Sequence, residues 1–168
     1  MGKEQLLIVL AKRQYMTPQE TPIEIIQELI QLHQDRVALY HQALGSTRHP
    51  DRLDLKMILG EIIHETIEYK QELKDSLVWL DGRSNGQEEE HKGPVYRVWE
   101  AEKVPIRGDS SKSILETCEQ ESEAVQKAYQ TALSLTDSMD DILRLRLKMQ
   151  MADVRNIENK IRTYHNAL

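Results

Sequence analysis

Apolar residues recur along this chain in alternating steps of three and four, the spacing that gathers them on one side of an α-helix. A first stripe runs Ile23, Ile26, Ile30, His33, Val37, Tyr40, Leu44, and a second runs Leu55, Leu59, Ile62, Thr66, Tyr69, Leu73, Leu77, Leu80. A third holds Ile114, Cys118, Glu121, Val125, Ala128, Ala132 and Leu135, flanked by Leu115, Ser122 and Tyr129. The last is Leu143, Leu147, Gln150, Val154, Ile157, Ile161, Tyr164 and Leu168. Four amphipathic helices are expected.

The punctuation between the stripes sets the helix ends. Thr21-Pro22-Ile23-Glu24 reads as a capping box with proline in the first turn, and Gly45 as a stop. The second helix is expected from Pro50-Asp51 to Leu80-Asp81-Gly82, the third after Ser110-Ser111-Lys112-Ser113, and the fourth after Asp137-Ser138. Helices of about 23 to 31 residues would be roughly 35 to 46 Å long. The first and last joints are short, so each flanking pair must be an antiparallel hairpin. The middle segment, 83–110, is rich in Gly and Pro, carries Glu88-Glu89-Glu90, and is long enough to cross the protein from end to end. Two hairpins joined by one long crossover describe an all-α, ferritin-like antiparallel four-helix bundle over 21–168. Val95, Tyr96, Val98 and Trp99 suggest a short helical latch lying over it.

Composition narrows the picture. The 168 residues suit one domain, 39% hydrophobic and 30% charged, with no Phe, so the core falls to Leu, Ile, Val, Met and Tyr. A net charge of −6 disfavours a nucleic-acid partner. Cys118 has no other cysteine to pair with, which fits a reducing, cytoplasmic setting. The run Leu6-Leu7-Ile8-Val9-Leu10 in the 1–20 extension is too short for a membrane span or a secretory core and is followed by Lys12-Arg13. It reads as a short extra helix packed on the bundle or on a partner chain.

Each stripe is interrupted by a polar residue near its midpoint: His33, Thr66, Glu121 with Ser122, and Gln150. Midpoints of equal antiparallel helices share one height, so these residues are expected to meet in one buried polar layer and satisfy one another. Ferritin-like bundles place two metal ions at that height, held by carboxylates and Glu-x-x-His pairs. Glu61-Ile62-Ile63-His64 has the right letters, but His64 points almost opposite the Ile62–Thr66 seam, and the last helix has no such pair. His33, Glu65, Glu121, Asp153 and Glu158 are the residues from which an iron or manganese site would have to be built. Glu65, Asp153 and Glu158 join only after a helix rotation of about 70°, three-quarters of one 100° residue step. A hydrogen-bonded layer that fixes helix register is therefore the expectation, with no cofactor.

Elsewhere, Glu61, Glu65, Glu68 and Glu72 form an acidic flank on the second helix, read as a solvated edge balanced by basic neighbours. No Ser-His-Asp order, Gly-rich phosphate loop or CxxC pair is present. Ile142, Leu145, Met149, Met151 and Leu39 are apolar yet off their seams, which predicts a homodimer.

Ile114-Leu115-Glu116-Thr117-Cys118-Glu119-Gln120-Glu121-Ser122-Glu123, followed by Lys127-Ala128-Tyr129 and Ala132-Leu133, resembles a bacterial domain-of-unknown-function family of ferritin-like bundles related to stress-induced YciF-type proteins. Asp35-Arg36-Val37 with Tyr40, Tyr96-Arg97-Val98-Trp99, and Gln150 with Asp153-Val154 are similar to its other helices and its crossover. The chain departs from the family at the positions that would hold metal: Val37 and Ala38, Ser122, and Glu158-Asn159. The resemblance implies a divergent member and a non-catalytic, stress-associated structural or interaction protein, with a metal-dependent oxidase or ferroxidase as the alternative.

Overall fold

The computed structural model describes residues 2–3, 21–46, 53–81 and 90–168. Outside them lie most of the 1–20 extension with its apolar run, the Pro50-Asp51 start, Gly82 and the 83–89 part of the crossover. The described residues are helical with no strand, in the order α1 (Pro22–Ser46), α2 (Leu53–Asp81), α3 (Pro94–Glu102), α4 (Ser111–Ser134) and α5 (Asp141–Asn166). None of these helices is long and apolar enough to cross a membrane.

The helix ends follow local chemistry. At α1 the Glu24 amide donates to Thr21 Oγ1 and the Thr21 amide to Glu24 Oε2, each at 3.2 Å, closing the expected box. Ser110 caps α4 by accepting from the Ser113 amide at 3.1 Å. The last helix begins later than Asp137-Ser138: Asp140 is the cap, accepting from the Leu143 amide at 2.7 Å. The residues before it are used in a turn in which Thr136 Oγ1 accepts from the Ser138 amide and Met139 is buried. Arg144 reaches back to the carbonyls of Leu133 and Thr136, satisfying acceptors at the end of α4.

Two apolar clusters fill the interior. One joins the first half of α1 to Tyr69 and Leu73 of α2, to Ala124–Ala132 of α4, and to Leu143 and Leu147 of α5. The other joins Tyr40 and Ala43 to Leu55 and Leu59, Ile114 and Cys118, and Ile161. The pairing of halves means that α1 and α5 run one way and α2 and α4 the other. Between the clusters lies a polar layer.

The seams on α2, α4 and α5 fall where the periodicity puts them, although Leu80 at the end of α2 emerges from the core and Leu168, past the end of α5, is exposed. On α1 the buried face is turned by about one residue step: Ile25, Leu29, Leu32, Arg36 and Ala43 are buried, while Ile23, Ile30, Val37 and Leu44 lie at its margin. The cause is α3. Instead of lying over the surface, it packs against both α4 and α1 and buries Val95, Tyr96 and Trp99 completely or nearly so. Helix α1 thus meets α2 on one side and α3 on the other, which widens its buried arc. Leu39 and Met151, expected as surplus apolar surface, instead pack against the core.

A candidate functional site: the buried polar layer

At the centre, Arg36 of α1 faces Glu121 of α4, both essentially without solvent contact. Arg36 Nε donates to Glu121 Oε2 at 2.8 Å and Oε1 at 3.1 Å, and Nη2 donates to Oε1 at 2.9 Å. Tyr40 Oη donates to Oε1 and Trp99 Nε1 to Oε2, each at 2.7 Å. The carboxylate is thereby ringed by donors from α1 and α3. An ion pair so placed is compatible with folding only because its remaining hydrogen-bonding capacity is also filled. Burial alone would draw the Arg36 pKa down, but the charge and hydrogen bonds of Glu121 outweigh it and the pKa rises, so the cation is held firmly. Burial pushes the Tyr40 phenol well above its ordinary value, helped by Glu121, which keeps it a donor.

The guanidinium also organises a chain of neutral groups. Arg36 Nη1 donates to Thr66 Oγ1 at 3.2 Å and approaches His33 Nδ1 at 3.5 Å, while the Thr66 hydroxyl donates to the Ile62 carbonyl at 2.6 Å. His33 Nε2 lies 2.6 Å from Tyr129 Oη, and Tyr129 Oη donates to Gln150 Oε1 at 2.7 Å. Gln150 Nε2 donates to the Tyr69 carbonyl at 3.3 Å. Because the tyrosine proton goes to Gln150, His33 must donate from Nε2 and accept at Nδ1, which fixes its tautomer. Burial, and after it the Arg36 cation, hold the His33 pKa well below its ordinary value, so the ring is neutral. Ser122 is buried beside Glu121, but among the described residues no bond joins its side chain to this chain; its carbonyl accepts from Gln126.

His33, Thr66, Glu121 and Gln150 therefore lie in one network, on four different helices. Glu65, Asp153 and Glu158 do not enter it. Glu158 is bonded by Gln126 and by Arg162 Nη2 at 2.6 Å, on the α4–α5 side. Glu65 is half-buried and Asp153 exposed, near each other between α2 and α5. His64 points away from the layer, as its helical phase requires, and is exposed beside Glu68. Cys118 is buried within the apolar cluster, and burial pushes its thiol up, which disfavours the thiolate.

The donor set does not suit an iron or manganese centre. Glu121, the carboxylate best placed to serve, has its oxygens taken by Arg36, Tyr40 and Trp99, and a permanent cation stands where a metal would need anions. Among the described residues no group of three or more His, Cys, Asp or Glu side chains is placed to hold a metal ion.

Arg36, Trp99 and, outside the layer, Glu28 have roles that escape a reading of the sequence, as do the Tyr40 and Tyr129 hydroxyls. Arg36 lies one position from the expected stripe, and an arginine is ordinarily assigned to solvent. Its signal was the unpaired Glu121 at the same height: a buried carboxylate demands a cation, and Arg36 is one turn from His33. Trp99 was legible as apolar, but not as a donor to Glu121. Glu28 accepts from the Val95 and Tyr96 amides at 3.0 and 3.3 Å and so anchors the N-terminus of α3. A Cβ at Gly93 would stand 2.5 Å from that carboxylate, so a side chain there would make Glu28 shift from its place beside the Val95 and Tyr96 amides.

No known family model, curated protein or solved structure matches the chain.

Proposed function

We propose that this chain is a ferritin-like four-helix bundle whose central layer serves structure instead of metal chemistry, and that it acts as a non-catalytic structural or interaction protein in the cytoplasm. The observation that carries this reading is the saturation of Glu121 by Arg36, Tyr40 and Trp99. A bundle that used this height for redox chemistry would leave carboxylates open toward the interior. The two antiparallel hairpins and their crossover support the ferritin-like path, and the resemblance of 114–133 to stress-induced bacterial bundles supports a stress-associated role. The acidic balance argues against nucleic acid as a partner, and the apolar surface left on α2 and α5 favours pairing with a second copy.

The test is the metal content of protein purified from cells supplied with iron, manganese and zinc. Less than about 0.1 metal ion per chain is expected, a small fraction of the two ions of a ferritin-like centre. Stoichiometric metal that disappears in Glu121→Ala or His33→Ala would replace this reading with a metal-dependent oxidase.

A second reading draws on the flank of α2. Burial, followed by the charges of Glu68 and Asp153, raises the pKa of Glu65, while Lys160 bonds Glu61. Carboxylates crowded in this way suit a basic protein partner. Its mark would be one co-purifying partner lost on Glu65→Lys with Glu68→Lys.

A further inference from the structure

The far end of α2 and the start of α5 leave an apolar surface that the core does not use. Trp79 is 80% exposed, Leu80 36%, Ile142 71%, Leu145 58% and Met149 59%. Trp79, Leu80 and Ile142 border one groove of about 210 Å³, floored by Leu143 and edged by Asp75 and Arg146. Ile142, Leu145 and Met149 follow one another at steps of three and four, so the surface continues from the groove along α5. Together these side chains present roughly 600 Å² of apolar area, at the top of what a monomer ordinarily leaves in one patch. With a polar rim added, that approaches the ~800 Å² per partner of a stable protein interface.

We infer that this surface is where two copies of the chain meet across a twofold axis, an inference that rests on the pairing proposed above. Area and composition both favour a second copy. A tryptophan beside a groove supplies the anchor and the pocket that an isologous interface needs on each subunit. The rim carries both signs, Asp75 and Asp140 against Arg146, so a twofold can set acid opposite base. Arg146 is held in place by the Glu72 carbonyl at 2.9 Å and Ser76 Oγ at 3.0 Å, which fixes the rim before association.

Sedimentation velocity of the full chain from 1 to 100 µM, run beside acrylamide quenching of tryptophan, tests this. Trp99 is wholly buried, so quenching reports Trp79. A dimer with Kd below about 10 µM is expected, with Trp79 becoming shielded as the dimer forms. Ile142→Lys with Met149→Lys, both at exposed positions, should weaken association at least ~100-fold and leave helicity intact. A monomer over the whole range sinks both the pairing and its surface. A dimer that survives the double substitution keeps the pairing and overturns this surface. Shielding of Trp79 that does not change with concentration also overturns it, and hands the groove to another segment of the same chain.

Discussion

Trp99 and Glu121 come from different parts of the chain, the crossover helix and the middle of α4, and meet at 2.7 Å through an indole N–H and a carboxylate oxygen. The crossover is thus fastened to the ion pair at the centre of the protein. Trp99→Phe keeps a buried six-membered ring but removes that donor together with the five-membered ring that carries it. A hydrogen bond to a charged group is worth about 1.5–3 kcal/mol, and the variant should lose that much stability in urea denaturation followed by circular dichroism. A loss under about 0.5 kcal/mol would mean that the indole N–H adds nothing to stability.

Arg36 and Glu121 are expected to be strongly coupled. Arg36→Met or Glu121→Leu leaves one buried charge unpaired, costing about 3–5 kcal/mol each. The double variant Arg36→Met/Glu121→Leu leaves no charge behind and should recover much of the loss. Additive single and double effects in the mutant cycle would deny the coupling.

Two buried tyrosines should respond in opposite ways. Tyr129 Oη bridges His33 and Gln150, and Tyr129→Phe is expected to cost about 1–3 kcal/mol by leaving polar groups unsatisfied. Among the described residues Tyr69 Oη is buried with no hydrogen-bond partner, so Tyr69→Phe should be neutral or stabilising by up to about 1 kcal/mol. Thermal denaturation of the two variants side by side makes the comparison.

Neutral His33 makes stability depend on pH. Its folded pKa lies well below the ordinary 6.5, so the unfolded chain takes up a proton first as the pH falls. Stability from this group is complete above about 6.5 and declines below it, by up to ~1.4 kcal/mol per pH unit. Burial raises Glu65 and Glu158, a contribution of the reverse sign that acts above the ordinary 4.5, so the His33 effect is read against a variant lacking that ring. Between pH 7.5 and 5.5 the decline should therefore be visible in urea midpoints. His33→Gln, which retains a donor and an acceptor, should remove the His33 contribution, and an unchanged slope in that variant would assign the effect to other histidines.

Much of the fold was legible because periodicity records burial directly. On α2 and α4 the spacing of Leu59, Ile62 and Thr66, or of Cys118, Glu121 and Val125, is nearly the structure itself. It misled on α1, where α3 enters as a further neighbour and turns Arg36 inward. No periodicity in α1 announces a helix that arrives from sixty residues downstream in the chain. The polar layer was legible as a set of interruptions, since His33, Thr66, Glu121 and Gln150 stand out against apolar seams. Its chemistry was not, because the residues that complete it do not interrupt anything: Arg36 reads as surface, and Trp99, Tyr40 and Tyr129 read as core. The surface on α5 was half legible. Ile142, Leu145 and Met149 are exposed, whereas Leu39 and Met151 have found partners inside.

The wedging of α3 between α1 and α4 bears on the rates at which the protein gains and loses its structure. The two hairpins close over short loops, whereas the Arg36–Glu121 contact spans 85 positions and depends on α3 being seated. Closure of the centre should follow the rate-limiting step of folding, so that Arg36 and Trp99 have φ-values near zero. Substitutions there would then accelerate unfolding many-fold and hardly slow folding, which stopped-flow chevrons can read. In such a protein the central charges set chiefly the lifetime of the folded state, and the hairpins set how quickly it is reached.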